Sequence, residues 1–242
     1  MKELHYQIDQ LLTAKGINPT LIQSIKKEDS MFPFSQESQI LSYLLATKAI
    51  SYEQYEKIVQ DYNERNKYLS LFDMAPRTFG QTWGEQHLLS LFPEFTKATK
   101  KNLENVYPSF DGEFDLWYDG IRIEVKACRA NNTKNQESLA SRAYLHSEAK
   151  AAGFQYHYQQ LKPSCCDVFI WIGVCRDEIL YWVLTSEELK TIDGFGPQHR
   201  NINTGIDGIE VFEGQVFMTE EELSPFQVSE ADVLKMVIKK GK

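Results

Sequence analysis

Apolar positions over residues 1 to about 70 recur at helical spacing. Leu4, Ile8, Leu11 and Leu12 form one stripe that ends at Gly16, and Ile40, Leu41, Leu44 and Leu45 form a second after Pro33. Ser51 followed by Gln54 has the spacing of a capping box, opening a third helix through Tyr55, Ile58, Val59 and Tyr62. From Gly80 a further helix carries Trp83, Glu85, Leu88, Leu89 and Phe92, and stops at Pro93. The period then changes to that of a strand. In Asp111–Arg129, DGEFDLWYDGIRIEVKACR, apolar and polar residues alternate about Asp119-Gly120. Asp-Gly supplies the positive φ that both centres of a tight hairpin turn need. With Tyr118 and Ile121 flanking that turn, Asp115 lies opposite Glu124 and Glu113 opposite Lys126. Asp115, Glu124 and Lys126 then share one face, while Ile121, Ile123, Val125, Leu116 and Phe114 line the other.

Beyond the hairpin, Glu137 to about Leu161 reads as helical, with Leu139, Ala143, Ala149 and Ala152 on one side and Gly153 as an interruption. Asp167–Val174 is a near-continuous apolar run, expected of a strand buried on both faces. Leu180–Leu184 is the next strand, joined to it through Arg176, Asp177 and Glu178. Thr185 with Glu188 and Thr219 with Glu222 repeat the capping-box spacing. Gly194–Gly205 reads as a turn-rich loop. The order predicts an α/β (α+β) fold, a mixed central sheet flanked by helices. Residues 1–72 form a helical N-terminal subdomain packed on a core domain at 73–242.

The 242 residues suffice for a substantial core, and 42 % hydrophobic with 25 % charged residues is ordinary for a globular chain. No apolar run approaches a membrane span, and the N-terminus lacks a signal-peptide layout. Cys128, Cys165, Cys166 and Cys175 form no CxxC pair, which argues against structural zinc and for reduced thiols. A cytoplasmic protein with no membrane partner is expected. The net charge of −8 counts against a general nucleic-acid binder. The basic residues are nevertheless clustered: Lys97, Lys100 and Lys101 precede the hairpin, and Lys126, Arg129, Lys134 and Arg142 follow it.

Like charges facing each other across a ladder destabilise it. Asp115 with Glu124 therefore calls for a compensating cation, and Mg²⁺ takes oxygen ligands with as few as one or two carboxylates. Such an ion beside an ammonium suits phosphodiester hydrolysis. The run Asp115-x8-Glu124-Val125-Lys126 resembles the catalytic motif of the PD-(D/E)xK nuclease superfamily, and type II restriction endonucleases in particular. Phe114 stands where the pattern often has proline. The resemblance implies a restriction-endonuclease-like core. It makes Asp115, Glu124 and the Val125 carbonyl ligands of Mg²⁺, with Mn²⁺ as a substitute, and puts Lys126 beside the attacking water. By order along the chain it makes Glu85 an auxiliary acid, and Gln160, with Gln155 next, the glutamine that orients water or contacts phosphate.

Within 194–205, His199, Arg200, Asn201 and Asn203 are of the types that read base edges. Arg129 and Lys134 are expected on phosphates. The expected activity is Mg²⁺-dependent, sequence-specific cleavage of double-stranded DNA to 5′-phosphates by a homodimer. A cognate DNA methyltransferase is expected in the same system without being a bound partner. The alternatives are a DNA repair or modification-dependent nuclease, an RNA-directed nuclease, and an inactive nuclease-fold DNA-binding protein. The intact Asp115, Glu124 and Lys126 argue against the last.

Overall fold

The computed structural model describes residues 2–17, 36–134, 137–205 and 208–242, without the side chains of residues 2–5, 36, 81 and 199–201. The chain divides into two compact units, Met1–Asn66 and Lys67–Lys242. In the first, helices α1 (Lys2–Ala14), α2 (Gln36–Ala46) and α3 (Tyr52–Arg65) enclose Ile8, Leu12, Ile40, Leu41, Leu44 and Ile50. The stripe of α1 stops where Gly16 takes a φ of +63°. The Ser51–Gln54 box closes with bonds of 3.0 and 3.1 Å.

The second unit is mixed α/β. Among its described residues a six-stranded sheet runs in the order β1-β2-β3-β5-β6-β9. These strands are β1 (Thr96–Lys97), β2 (Leu116–Tyr118), β3 (Ile121–Arg129), β5 (Val168–Val174), β6 (Ile179–Thr185) and β9 (Gln227–Val228). β3 and β5 are parallel, and the other neighbours antiparallel. A three-stranded antiparallel sheet has the order β4-β8-β7, from β4 (Gln155–Leu161), β7 (Gly196–Thr204) and β8 (Glu210–Thr219). The helices of this unit include α4 (Gly84–Leu91), α5 (Lys100–Leu103), α6 (Leu139–Arg142), α7 (His146–Ala151), α8 (Ser186–Thr191), α9 (Glu220–Leu223) and α10 (Val233–Lys240). No helix among the described residues is long and apolar enough to cross a membrane.

The buried run of β5 sets the layers. Val168, Ile170, Ile172 and Val174 pack with Leu88 of α4 and with Val233 and Val237 of α10. Phe169 and Trp171 face the other way, onto Tyr156, Tyr158 and Leu161 of β4 and Val216 and Met218 of β8. The small sheet, joined by Leu103 of α5, Ala149 of α7, Leu189 of α8 and Leu223 of α9, thus covers one face of the central sheet, and α4 and α10 cover the other. Gly173 sits where Trp182 and Tyr156 close in, and a Cβ there would lie 2.6 Å from both rings.

Several expectations need correction. Residues 155–161 are a strand, not the end of a helix: Gly153, at φ +59°, stops α7. Buried Tyr156 and Tyr158 then alternate with Gln155, His157 and Gln159. Most of the expected loop at 194–205 is strand β7, antiparallel to β8. The hairpin pairs as expected at Tyr118–Ile121, Trp117–Arg122 and Leu116–Ile123, then slips. The Asp115 N–H donates to the Ile123 carbonyl at 3.0 Å, so Asp115 and Leu116 together oppose Ile123, as in a β-bulge. The slip turns Phe114 to the other face, against Trp117. It also separates Glu113 from Lys126: Glu113 is buried and accepts the Asp111 N–H at 2.9 Å.

Candidate active site

The hairpin turn has Asp119 at φ +44° and Gly120 at +88°, so both centres are left-handed. Because the ladder slips at Asp115, its carboxylate does the work of a ladder partner: Oδ2 accepts the Val125 N–H at 2.8 Å. Asp115 therefore stands at the edge of β3 beside Glu124 and not squarely across from it. A strand residue points its N–H and C=O to the same edge, so the Val125 carbonyl faces the Asp115 side. One turn of strand on, Lys126 Nζ lies 2.5 Å from Glu124 Oε1. The Glu124 side chain is 9 % exposed and that of Lys126 19 %.

Helix α4 supplies the next group. Gly84 lets it approach β3 closely, since a Cβ there would stand 3.2 Å from a Val125 methyl. Glu85 follows in the first turn and forms an ion pair with Lys97 of β1. Lys97 pairs in the sheet with Leu116, and the next N–H, that of Ala98, donates to the Asp115 carbonyl. Glu85 and Asp115 are thus brought to the same corner by α4, β1 and the end of β2.

The corner is short of positive charge. Burial and the neighbouring Asp115 push the Glu124 carboxyl up to about 7, although Lys126 opposes the shift. Burial also lifts Glu85; the bond from Lys97 works against this and Asp115 adds to it. Burial works to lower Lys126, but the charges of Glu124 and Asp115 outweigh it and hold the ammonium above its ordinary value. The two carboxylates therefore favour the charged form of Lys126.

A cavity of about 290 Å³ opens beside Lys126, lined also by Arg77, Gly80, His157, Gln159 and Gln160. Gln160, expected from a helix, lines this cavity from a strand, whereas Asp115, Glu124 and Glu85 do not line it. Gln155 is exposed on the same strand and does not line the cavity. Lys97 is expected from sequence only as one of a basic cluster, and His157 and Gln198, which holds the Gln160 N–H, are not singled out there. The alternation about Tyr156 and Tyr158 was the signal for His157.

The expected DNA-contacting residues fare differently. Arg129 Nη1 donates to the carbonyls of Leu71 and Met74 at 2.9 Å each, and its guanidinium stacks 4.4 Å from the Phe79 ring centre. It clamps the 71–79 segment to β3. Asn203 donates to the buried Glu213, and its Oδ1 accepts the Thr204 N–H at 2.8 Å. Its amide is thereby committed within the small sheet. Lys134 is exposed. The side chains of His199, Arg200 and Asn201 lie outside the described residues.

Among the described residues no group of three or more His, Cys, Asp or Glu side chains converges to hold a metal ion. The donor set at the corner is Asp115, Glu124 and the Val125 carbonyl, all hard oxygens. No family model, curated protein or solved structure matches the chain.

Proposed function

We propose that this protein is a Mg²⁺-dependent endonuclease that hydrolyses phosphodiesters in double-stranded DNA, with a core of the PD-(D/E)xK type. The single observation that carries the reading is the corner itself. Asp115 and Glu124 stand at one edge of β3 with Lys126 beside them, and the Glu124 carboxyl is pushed up to about 7. A pair of carboxylates left short of positive charge fits a hard divalent cation, which needs only one or two carboxylates and keeps its remaining positions for water and phosphate. Asp115, Glu124 and the Val125 carbonyl would hold it, and Mn²⁺ would substitute. When bound, such an ion supplies charge stabilisation at the phosphoryl group and acidifies water.

The chain's own residues do the rest. Protonated Lys126 donates to the phosphoryl oxygens as negative charge builds on them. Its pair with Glu124 fixes the ammonium beside the edge where water attacks. Glu85, neutralised by Lys97, closes the corner on the α4 side. The Gln160 amide donates to a phosphate oxygen from the cavity wall. The type II restriction reading adds sequence specificity, a homodimeric working form, 5′-phosphate ends and a methyltransferase that protects the same site. A repair or modification-dependent nuclease would use the same residues.

The test is digestion of unmethylated phage DNA with Mg²⁺. Discrete bands that vanish with chelator support a sequence-specific enzyme. A chelator-sensitive smear keeps the nuclease and removes the restriction class. Intact DNA under all divalent cations tried contradicts the proposal.

A further inference from the structure

We propose that Gln198 is a positioning residue that holds a strained bulge of β4, so that the Gln160 amide stands in the Lys126 cavity and touches substrate there. This rests on the phosphodiesterase reading above. Strand alternation puts Tyr156 and Tyr158 into the core and would put residue 160 there as well. Instead the register with β8 shifts between Tyr158 and Leu161, and both Gln159 and Gln160 are exposed while Leu161 returns to the core. The extra residue turns the side chain of Gln160 from the core to the cavity wall. Bulges of this kind re-aim side chains beside active sites.

The bulge is strained. Gln160 takes a φ of +56°, a left-handed conformation that L side chains adopt at a cost. Its restraint comes from far along the chain: the Gln160 N–H donates to Gln198 Oε1 at 2.8 Å. Gln198 belongs to β7, is 8 % exposed, and its Nε2 lies 3.5 Å from Gln159 Oε1. Gln159 in turn places its amide nitrogen 3.0 Å from His157 Nδ1. The residue of β8 paired with both Leu161 and Pro197 is Gly214, which has no side chain of its own between them; the Phe195 and Phe212 rings close over it. One buried amide thus addresses both residues of the bulge.

The experiment compares thermal melting and single-turnover, Mg²⁺-dependent cleavage of a DNA duplex by full-length wild type and four variants. Gln160→Gly relieves the left-handed strain and deletes the amide, so it melts higher than wild type yet cleaves roughly tenfold to a hundredfold more slowly. Gln198→Ala melts lower and loses cleavage to a similar extent, and Gln198→Glu, which keeps an accepting oxygen, recovers most of the rate. In the Gln160→Gly background, Gln198→Ala still lowers the melting temperature but slows cleavage no further. Wild-type rates in Gln160→Gly, or fully additive rate losses in the double variant, overturn the assignment of Gln198 and leave the nuclease standing. Absence of cleavage by wild type itself overturns the nuclease reading and this one with it.

Discussion

Lys126 and Glu124 are neighbours on one strand with opposite electrostatic histories. The lysine is held in its charged form by Glu124 and Asp115, whereas burial and Asp115 push the glutamate towards neutrality. Replacing Lys126 by Ala should therefore slow cleavage by about a hundredfold to a thousandfold, the usual cost of losing a donor to a developing charge, while leaving the fold intact by circular dichroism. Glu124 carries a linkage consequence. Its folded value, about 7, lies above the ordinary 4.5, so the native state binds more protons than the unfolded chain between those values. The stability it contributes is complete below the lower value and is lost as pH rises through the upper one. Glu124→Gln removes that loss. Its melting temperature should gain on wild type from about pH 5 to about pH 8, and a constant difference would show that Glu124 titrates normally. Cation and proton compete for the same carboxylate. Mg²⁺ should accordingly raise the wild-type melting temperature more at about pH 8 than at about pH 6.

At the scale of elements, the hairpin carries the site. Gly120 at φ +88° cannot be replaced cheaply, and Gly120→Val should cost roughly 1–2 kcal/mol in denaturant unfolding. Gly173→Ala places a methyl group 2.6 Å from Trp182 and Tyr156 and should cost about 1–3 kcal/mol by the same assay. The parts of this architecture legible in the sequence were those with a strong local code. Asp119-Gly120 announced the turn and its register, the run at 167–174 announced the central strand, and the boxes at Ser51, Thr185 and Thr219 announced helix starts. The slip at Asp115 was not legible, because a bulge leaves no mark in an alternating pattern. Residues 155–161 were misread because a preceding alanine-rich stretch has high helix propensity and hides the change of period after Gly153. β7 was misread for a related reason: its glycine, proline and polar residues have low strand propensity, and pairing with β8 overrides it. That Arg129 clamps residues 71–79 was likewise not legible, because sequence order does not show which carbonyls a guanidinium reaches.

At the scale of the whole molecule, the proposed chemistry belongs to one unit. Asp115, Glu124, Lys126, Glu85 and Gln160 all lie within Lys67–Lys242, whose two buried clusters, among the described residues, are built from that unit alone. The helical unit likewise encloses its own cluster. A fragment comprising residues 67–242 should unfold in a single cooperative transition; a fragment without one would show that its core is incomplete. The net charge of −8 makes the local lysines matter more, and any DNA binding should weaken steeply with salt. The most direct measurement is single-turnover cleavage of an end-labelled duplex in Mg²⁺ by wild type beside Asp115→Ala and Lys126→Ala. The account predicts cleavage by wild type, none with chelator, and near-complete loss in both variants while circular dichroism shows each of them folded. Cleavage that survives both substitutions, or a wild type inert in Mg²⁺ and Mn²⁺ alike, would contradict it.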